Sequence, residues 1–278
     1  MEPRDLLAAG APLVLAEVGA TRGSAPRDAG AWMLVAAEAV AGTIGGGQLE
    51  YMAIDRARVL LRRGLGAETM EVPLGPSIGQ CCGGHVRLTL APVDKWTRHM
   101  LDARIEAEEA AQPEVLVFGA GHVGRALAAA LTLLPVRVRL IDQRVAELAL
   151  AAPGVPTTLS PLPEAEVAAA RPGSAFVILT HDHALDFLVT AAALDRGDAA
   201  YVGMIGSETK LARFRSWRKR TGARGDPALG LTCPIGGPSG DKRPAVIAAL
   251  VAAEIIGRLG APQGASAARE TSETTTSD

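Results

Sequence analysis

The sequence predicts an α/β protein. A smaller N-terminal α+β domain comes first, and a C-terminal domain with a mostly parallel sheet follows. Three observations lead there. The chain has 278 residues, and at about 150 residues per domain that length suits two domains. From Val115 onward, short apolar runs alternate with helical patterns, as in βαβ units. Before that point the chain reads instead as short strands broken by glycine-rich loops.

Composition narrows the function classes. Hydrophobic residues make up 48% and charged residues 21%, ordinary values for a globular chain. With Phe 4, Trp 3 and Tyr 2, there are too few aromatics for a stacking platform of the single-strand nucleic-acid type. The formal net charge of −2 offers no basic field for nucleic acid. No apolar run approaches the roughly 18 residues that a membrane span needs. Met1-Glu2-Pro3-Arg4-Asp5 lacks the basic start of a signal peptide. Cys 3 in this length makes no disulfide framework. The expectation is a soluble cytoplasmic protein with reduced thiols, no membrane contact and no nucleic-acid partner.

In chain order, Pro12–Val18, Trp32–Val35 and Val40–Ile44 read as strands, with a turn-rich loop over Gly19–Gly30. Leu49, Met52, Ala53, Ala57 and Leu60 recur at helical spacing after Gly45-Gly46-Gly47. A glycine loop feeding a helix suits either an anion or a plain tight turn. Val86–Val93 is the next strand. Asp102–Gln112 is charged, rich in Ala and free of Gly and Pro, which predicts a helical connector. The domains are therefore placed at 1–95 and 114–259, with a connector over 96–113 and a disordered polar tail over 260–278.

Gly119-Ala120-Gly121-His122-Val123-Gly124 is a G-x-G-x-x-G run. It follows the strand Val115–Phe118 and opens a helix, and Asp142 ends the next strand about 20 residues on. That context predicts a Rossmann-like fold. Asp142 suits a ribose hydroxyl, whereas Arg144 suits a 2′-phosphate, so NAD(P) or another nucleotide is a candidate ligand. His181, Asp182, His183 and Asp186 follow the strand Ala175–Leu179. The edge past such strand ends lines the ligand crevice, as do Gly206 and Ser207 after Ala199–Ile205. The bland reading of Asp182 or Asp186 is a helix cap. His181 and His183 form H-x-H, but no third metal ligand stands at a standard spacing. Gly236–Lys242 lacks the Gly-Lys-Ser/Thr of a phosphate loop.

Cys81-Cys82-Gly83-Gly84 is the sharpest chemical feature. The glycines strip away bulk beside a soft nucleophile and metal ligand. Successive side chains of an extended segment diverge, so one thiol at most faces any site. With no C-x-x-C, neither a thioredoxin centre nor a zinc ribbon fits. Arg213, Arg215, Arg218, Lys219 and Arg220 form a basic helix end, read as a solvated face or as a partner surface.

These blocks together resemble the XdhC/CoxI family, the xanthine dehydrogenase accessory proteins. The resemblance rests on Gly23-Ser24-Ala25-Pro26-Arg27, on Gly42-Thr43-Ile44-Gly45-Gly46-Gly47 with Leu49-Glu50, and on Gly79-Gln80-Cys81-Cys82-Gly83-Gly84. It extends through Gly119–Gly124 with Asp142-Gln143-Arg144, Thr180-His181-Asp182 with Asp186, Tyr201–Ser207 and Pro234-Ile235-Gly236. It implies a non-enzymatic chaperone that binds molybdenum cofactor in the molybdopterin form, supports its sulfuration and delivers it. The implied partners are a xanthine dehydrogenase-type molybdoenzyme, a cysteine desulfurase as sulfur donor, and a second copy in a homodimer. The implied cofactor contacts are Ser24, Arg27, Gly46, Gly47, Glu50, Gln80, Cys81, Cys82, Gly83 and Gly84, with Cys82 touching molybdenum. The crevice set is Gly119, Gly121, His122, Gly124, Asp142, Arg144, His181, Asp182, Gly206 and Ser207. Relatives often carry His before the Pro-Ile-Gly segment, where this chain has Cys233. The alternative is an NAD(P)-dependent oxidoreductase, which lacks a visible acid–base set.

Overall fold

The structure, a computed structural model, describes residues 1–75, 83–223 and 225–260. The chain divides into two compact units at Ala110/Ala111.

In the first unit the strands are β1 (Val14–Arg22), β2 (Trp32–Val35), β3 (Val40–Gly42), β4 (Glu68–Pro73) and β5 (His85–Pro92). They form an antiparallel sheet in the order β3-β2-β1-β5-β4. The helices are α1 (Pro3–Ala8), α2 (Gly47–Arg63) and α3 (Lys95–Ala111). Leu49, Ala53, Ala57 and Leu60 make the buried stripe of α2, as their spacing predicts. The stripe packs on Val14, Ala16, Val18, Val86, Leu88 and Leu90, which alternate along β1 and β5. Leu6 and Leu7 of α1 and Leu101 and Ile105 of α3 join a second cluster with Leu13, Leu34 and Ala41. The stretch read as a connector thus belongs to a longer helix that buries two side chains in the first unit.

The strand expected to stop at Val18 continues to Arg22. A register shift between Val18 and Ala20 marks a bulge there, and beyond it β1 stays paired with β5 as far as His85. Strand β4 and helix α1 have no counterpart among the sequence expectations.

The second unit contains β6 (Glu114–Phe118), α4 (His122–Leu131), β7 (Arg137–Asp142), α5 (Val145–Leu148), β8 (Thr157–Leu159) and α6 (Pro163–Ala169). It continues with β9 (Ala175–Ile178), α7 (His183–Asp195), β10 (Tyr201–Met204), α8 (Glu208–Arg220), β11 (Leu231–Thr232) and α9 (Pro244–Leu259). The six strands are parallel, in the order β11-β10-β9-β6-β7-β8. This is the doubly wound Rossmann order, with its switch point between β6 and β9. Every residue of β6, β9 and β10 is buried, as expected where helices cover both faces of a sheet. Leu127 and Leu131 of α4 pack with Val251 and Ile255 of α9 against one face. Val167 of α6 and Val189 and Ala193 of α7 cover the other. Phe214 of α8 packs edge-on to Phe187 at 5.4 Å between centroids. Among the described residues, no helix is long and apolar enough to cross a membrane.

Candidate functional site

Three sequence blocks far apart in the chain meet at one end of the N-terminal sheet. Ser24, just past β1, forms a parallel bridge with Gly83. The approach is so close that a Cβ on Gly84 would lie 2.1 Å from the Ser24 carbonyl oxygen. On the other side, a Cβ on Gly45 would lie 2.5 Å from Pro26 Cβ. The Ser24–Arg27 segment is therefore clamped between Gly45 and Gly84, and a side chain at either would push it out.

Glu50, in the first turn of α2, organises the glycine run. Its Oε2 accepts from Thr43 Oγ1 at 2.7 Å, Gly46 N at 3.0 Å and Ile44 N at 3.2 Å. Gly46 is the N-cap of α2 and Gly47 its first residue. The loop amides thus face an anion that the chain itself supplies.

An open groove of about 830 Å³ lies beside the clamped segment, lined in part by Pro26, Arg27, Trp32, Thr43 and Arg104. Arg104 of α3 pins its rim. It donates to Glu17 at 2.8 Å, to the Gly30 carbonyl at 2.6 Å and to Glu108 at 3.0 Å, and its guanidinium lies over the Trp32 ring. Among the described residues, Arg27 has no carboxylate partner. Next to Gly84, His85 and Arg87 both bond Glu71, at 2.6 and 2.5 Å. Arg87 first, then His85, holds the Glu71 carboxyl below the ordinary carboxylate range. Gln80, Cys81 and Cys82, including the expected molybdenum contact at Cys82, lie outside the described residues.

In the second unit, the loop after β6 meets the end of β9 at the switch point. A Cβ on Gly119 would sit 2.3 Å from the Leu179 carbonyl oxygen, and one on Gly124 would sit 1.8 Å from the Gly119 oxygen. Asp142, at the end of β7, is tied to this loop. Its Oδ2 accepts from Ala120 N at 2.7 Å and Arg144 Nη2 at 2.9 Å. Its Oδ1 accepts from Arg144 N and Nε, both at 2.9 Å. Burial pushes the Asp142 carboxyl up, but the bonds from Arg144 and Ala120 outweigh it, so the group titrates below its ordinary value. Asp182 caps α7 by accepting from Ala184 N at 2.7 Å, and Ser207 caps α8 by accepting from Lys210 N at 3.3 Å. His122 begins α4, and His181 lines a narrow slot with Phe118, Gly119, Ile141 and Asp142.

Sequence reasoning missed Lys210. Its ammonium bonds the fully buried Asp186 and donates to the Ile205 carbonyl at 2.8 Å. Thr180 N and Oγ1 donate to the other oxygen of Asp186 at 2.9 and 2.7 Å. The pair locks α7 and α8 to the ends of β9 and β10. Gly206 makes room for it, since a Cβ there would lie 2.7 Å from Lys210 Cδ and 3.3 Å from Cys233 Sγ. Burial pushes the Cys233 thiol up, Lys210 opposes this and Asp186 adds to it. The following loop is held by Glu254, which accepts from Gly236 N at 2.6 Å and Tyr201 Oη at 3.3 Å. No local signal links Asp186 to Lys210, because they sit on different helices 24 residues apart. Among the described residues, no three His, Cys, Asp or Glu side chains are placed to hold a metal ion.

Comparison with known proteins accords with this geometry. The family model described as the XdhC Rossmann domain matches residues 115–255, and that of the XdhC and CoxI family matches residues 6–72. The uncharacterized protein YqeB of Escherichia coli K12 is 25% identical over 257 residues, which is 88% of this chain. The match takes in 43% of YqeB, so the chain spans less than half the length of that relative. A crystal structure titled as a xanthine dehydrogenase from Bacillus halodurans superposes with a TM-score of 0.78 at 19% identity. It covers 96% of this chain and 98% of that one, a likeness of fold. With one model spanning most of the second unit and the other most of the first, the chain belongs to the XdhC and CoxI family.

Proposed function

We propose that this protein is an accessory factor for a xanthine dehydrogenase-type molybdenum hydroxylase. It holds molybdenum cofactor as cargo in the N-terminal unit, supports its sulfuration by a cysteine desulfurase and delivers it to the enzyme. One observation carries the reading. The Ser24–Arg27 segment is clamped between Gly45 and Gly84 beside a groove of about 830 Å³, within the size range of small-molecule sites. The cargo is bulky and carries a phosphate monoester. Arg27, lining the groove without a carboxylate partner among the described residues, suits that phosphate. The amides of Ile44 and Gly46 already bond Glu50, so the phosphate meets the cation rather than the glycine loop. Cys82, one residue before Gly83, supplies a soft contact to the metal. The protein acts as a homodimer and does no chemistry of its own on a substrate.

The test is retention of cargo. Full-length protein is incubated anaerobically with molybdenum cofactor and desalted, and molybdenum and pterin are measured per chain. Wild type retains cargo, whereas Arg27→Glu and Cys82→Ala lose most of it. No retention by wild type, or retention by both variants at the wild-type level, overturns the reading.

A further inference from the structure

We propose that the glycine-loop crevice of the C-terminal unit binds a dinucleotide with a phosphate on its adenosine ribose, of the NADP type, and that Arg144 selects it. The proposal is independent of the cargo reading, since it concerns the other unit and a different ligand.

The first observation is a glycine that packing does not require. Gly119 and Gly124 are required by their own surroundings, because any side chain there would strike Leu179 or the loop itself. Gly121 is different. Its φ is −67°, which any residue adopts. A Cβ on it would meet no atom within 4 Å. The N-cap position favours glycine over alanine by only about 1 kcal/mol, and among the described residues no neighbouring atom keeps it bare, whereas close approach of a pyrophosphate from outside would. No side chain caps α4 behind it, so the first amides of that helix face the same space.

The second observation concerns which charge the crevice presents. A carboxylate at the end of this strand ordinarily accepts from a ribose diol. Here the Asp142 side chain is only 4% exposed. Its two oxygens offer about four acceptor positions, and Ala120 N and three Arg144 donors occupy them. A bare diol finds no free acceptor. The Arg144 side chain is 36% exposed and covers the carboxylate. Among the described residues, its Nη1 has only a distant partner, Glu147 at 3.9 Å. An exposed guanidinium edge with unused donors matches a phosphate monoester. Phe118, Ile141, Pro163 and Leu185 line a narrow slot beside it that, at about 10 Å³, holds no more than one water as it stands, so a base enters between these apolar walls only as the slot widens. Gln143, which also lines the slot, bonds the Pro161 carbonyl at 3.0 Å, one surface hydrogen bond that breaks as the slot widens.

The test is calorimetric titration of the full-length protein with NADP⁺, NAD⁺ and adenosine 2′,5′-bisphosphate in phosphate-free buffer. NADP⁺ binds at least about tenfold more tightly than NAD⁺, and the bisphosphate follows NADP⁺. Arg144→Ala uncovers Asp142, so the preference falls to parity or inverts. Gly121→Ala lowers stability by no more than about 1 kcal/mol, the N-cap preference for glycine, because its methyl meets empty space, yet weakens both dinucleotides by about tenfold or more. NAD⁺ binding as tightly as NADP⁺, no binding of either up to on the order of 1 mM, or unchanged affinity in Gly121→Ala overturns the proposal.

Discussion

Glu50 Oε2 lies 3.0 Å from the amide nitrogen of Gly46, so the glycine run before α2 carries its own anion. Replacing the residue separates the roles of acceptor and charge. Glu50→Ala leaves the amides of Ile44 and Gly46 without an acceptor and lowers stability by about 1–3 kcal/mol. Glu50→Gln keeps an acceptor and loses less. Urea unfolding of the three proteins reads this, and equal losses for both variants would show that the hydrogen bonds are not what matters.

The clamp on Ser24 has a steric signature. Gly84→Ala brings a methyl to 2.1 Å from a backbone oxygen, which cannot retreat without moving the Ser24–Arg27 segment. Gly46→Ala meets no neighbour and costs about 1–3 kcal/mol, because φ 74° with ψ −173° is a region that essentially only glycine adopts. Gly84→Ala is therefore the more destabilising variant in thermal melts, and the reverse ranking would contradict the close approach.

Asp186 and Lys210 are tested by a double-mutant cycle. Asp186→Asn or Lys210→Met strands the partner charge in the interior, a loss of about 3–5 kcal/mol each. The double variant strands none and loses less than the sum. Additive losses in chemical denaturation would mean that the two groups are not coupled.

Burial pushes the Cys233 thiol above its ordinary value. In a Cys81→Ser, Cys82→Ser background, iodoacetamide alkylates it slowly at about pH 7.5, and the rate climbs only above the ordinary thiol value of about 8.5. A rate plateau already reached below pH 8.5 would show a stabilised thiolate instead.

Asp142 makes stability depend on acid. Its folded value is depressed, so its contribution is fully present above its unfolded value of about 3.9. That contribution is lost as pH falls through the lower folded value. The stability gap between wild type and Asp142→Asn, read from thermal midpoints, is widest near neutrality and narrows below about pH 4. A gap that does not change with pH would mean that the carboxylate charge contributes nothing.

Local spacing determined a good deal. The buried stripe of α2, the run of buried strands in the second unit and the G-x-G-x-x-G loop with Asp142 22 positions beyond Ala120 can each be read from neighbouring residues. Their periodicity and turn chemistry act over a few residues. Strand β4 is not legible from spacing because its alternation is carried by only two apolar residues, Met70 and Val72, too short a run to distinguish from a loop. The continuation of β1 past Gly19 was hidden because a bulge looks like a loop until β5 is there to pair with it. Tertiary structure alone decided that Ser24, Gly45 and Gly84 touch, that Asp186 meets Lys210, and that Asp142 is covered by Arg144 rather than open to a ribose. The physical reason is that side-chain contacts across a core depend on how sheets and helices stack. That stacking is settled by all the buried surfaces at once and leaves no mark in the spacing of any single segment.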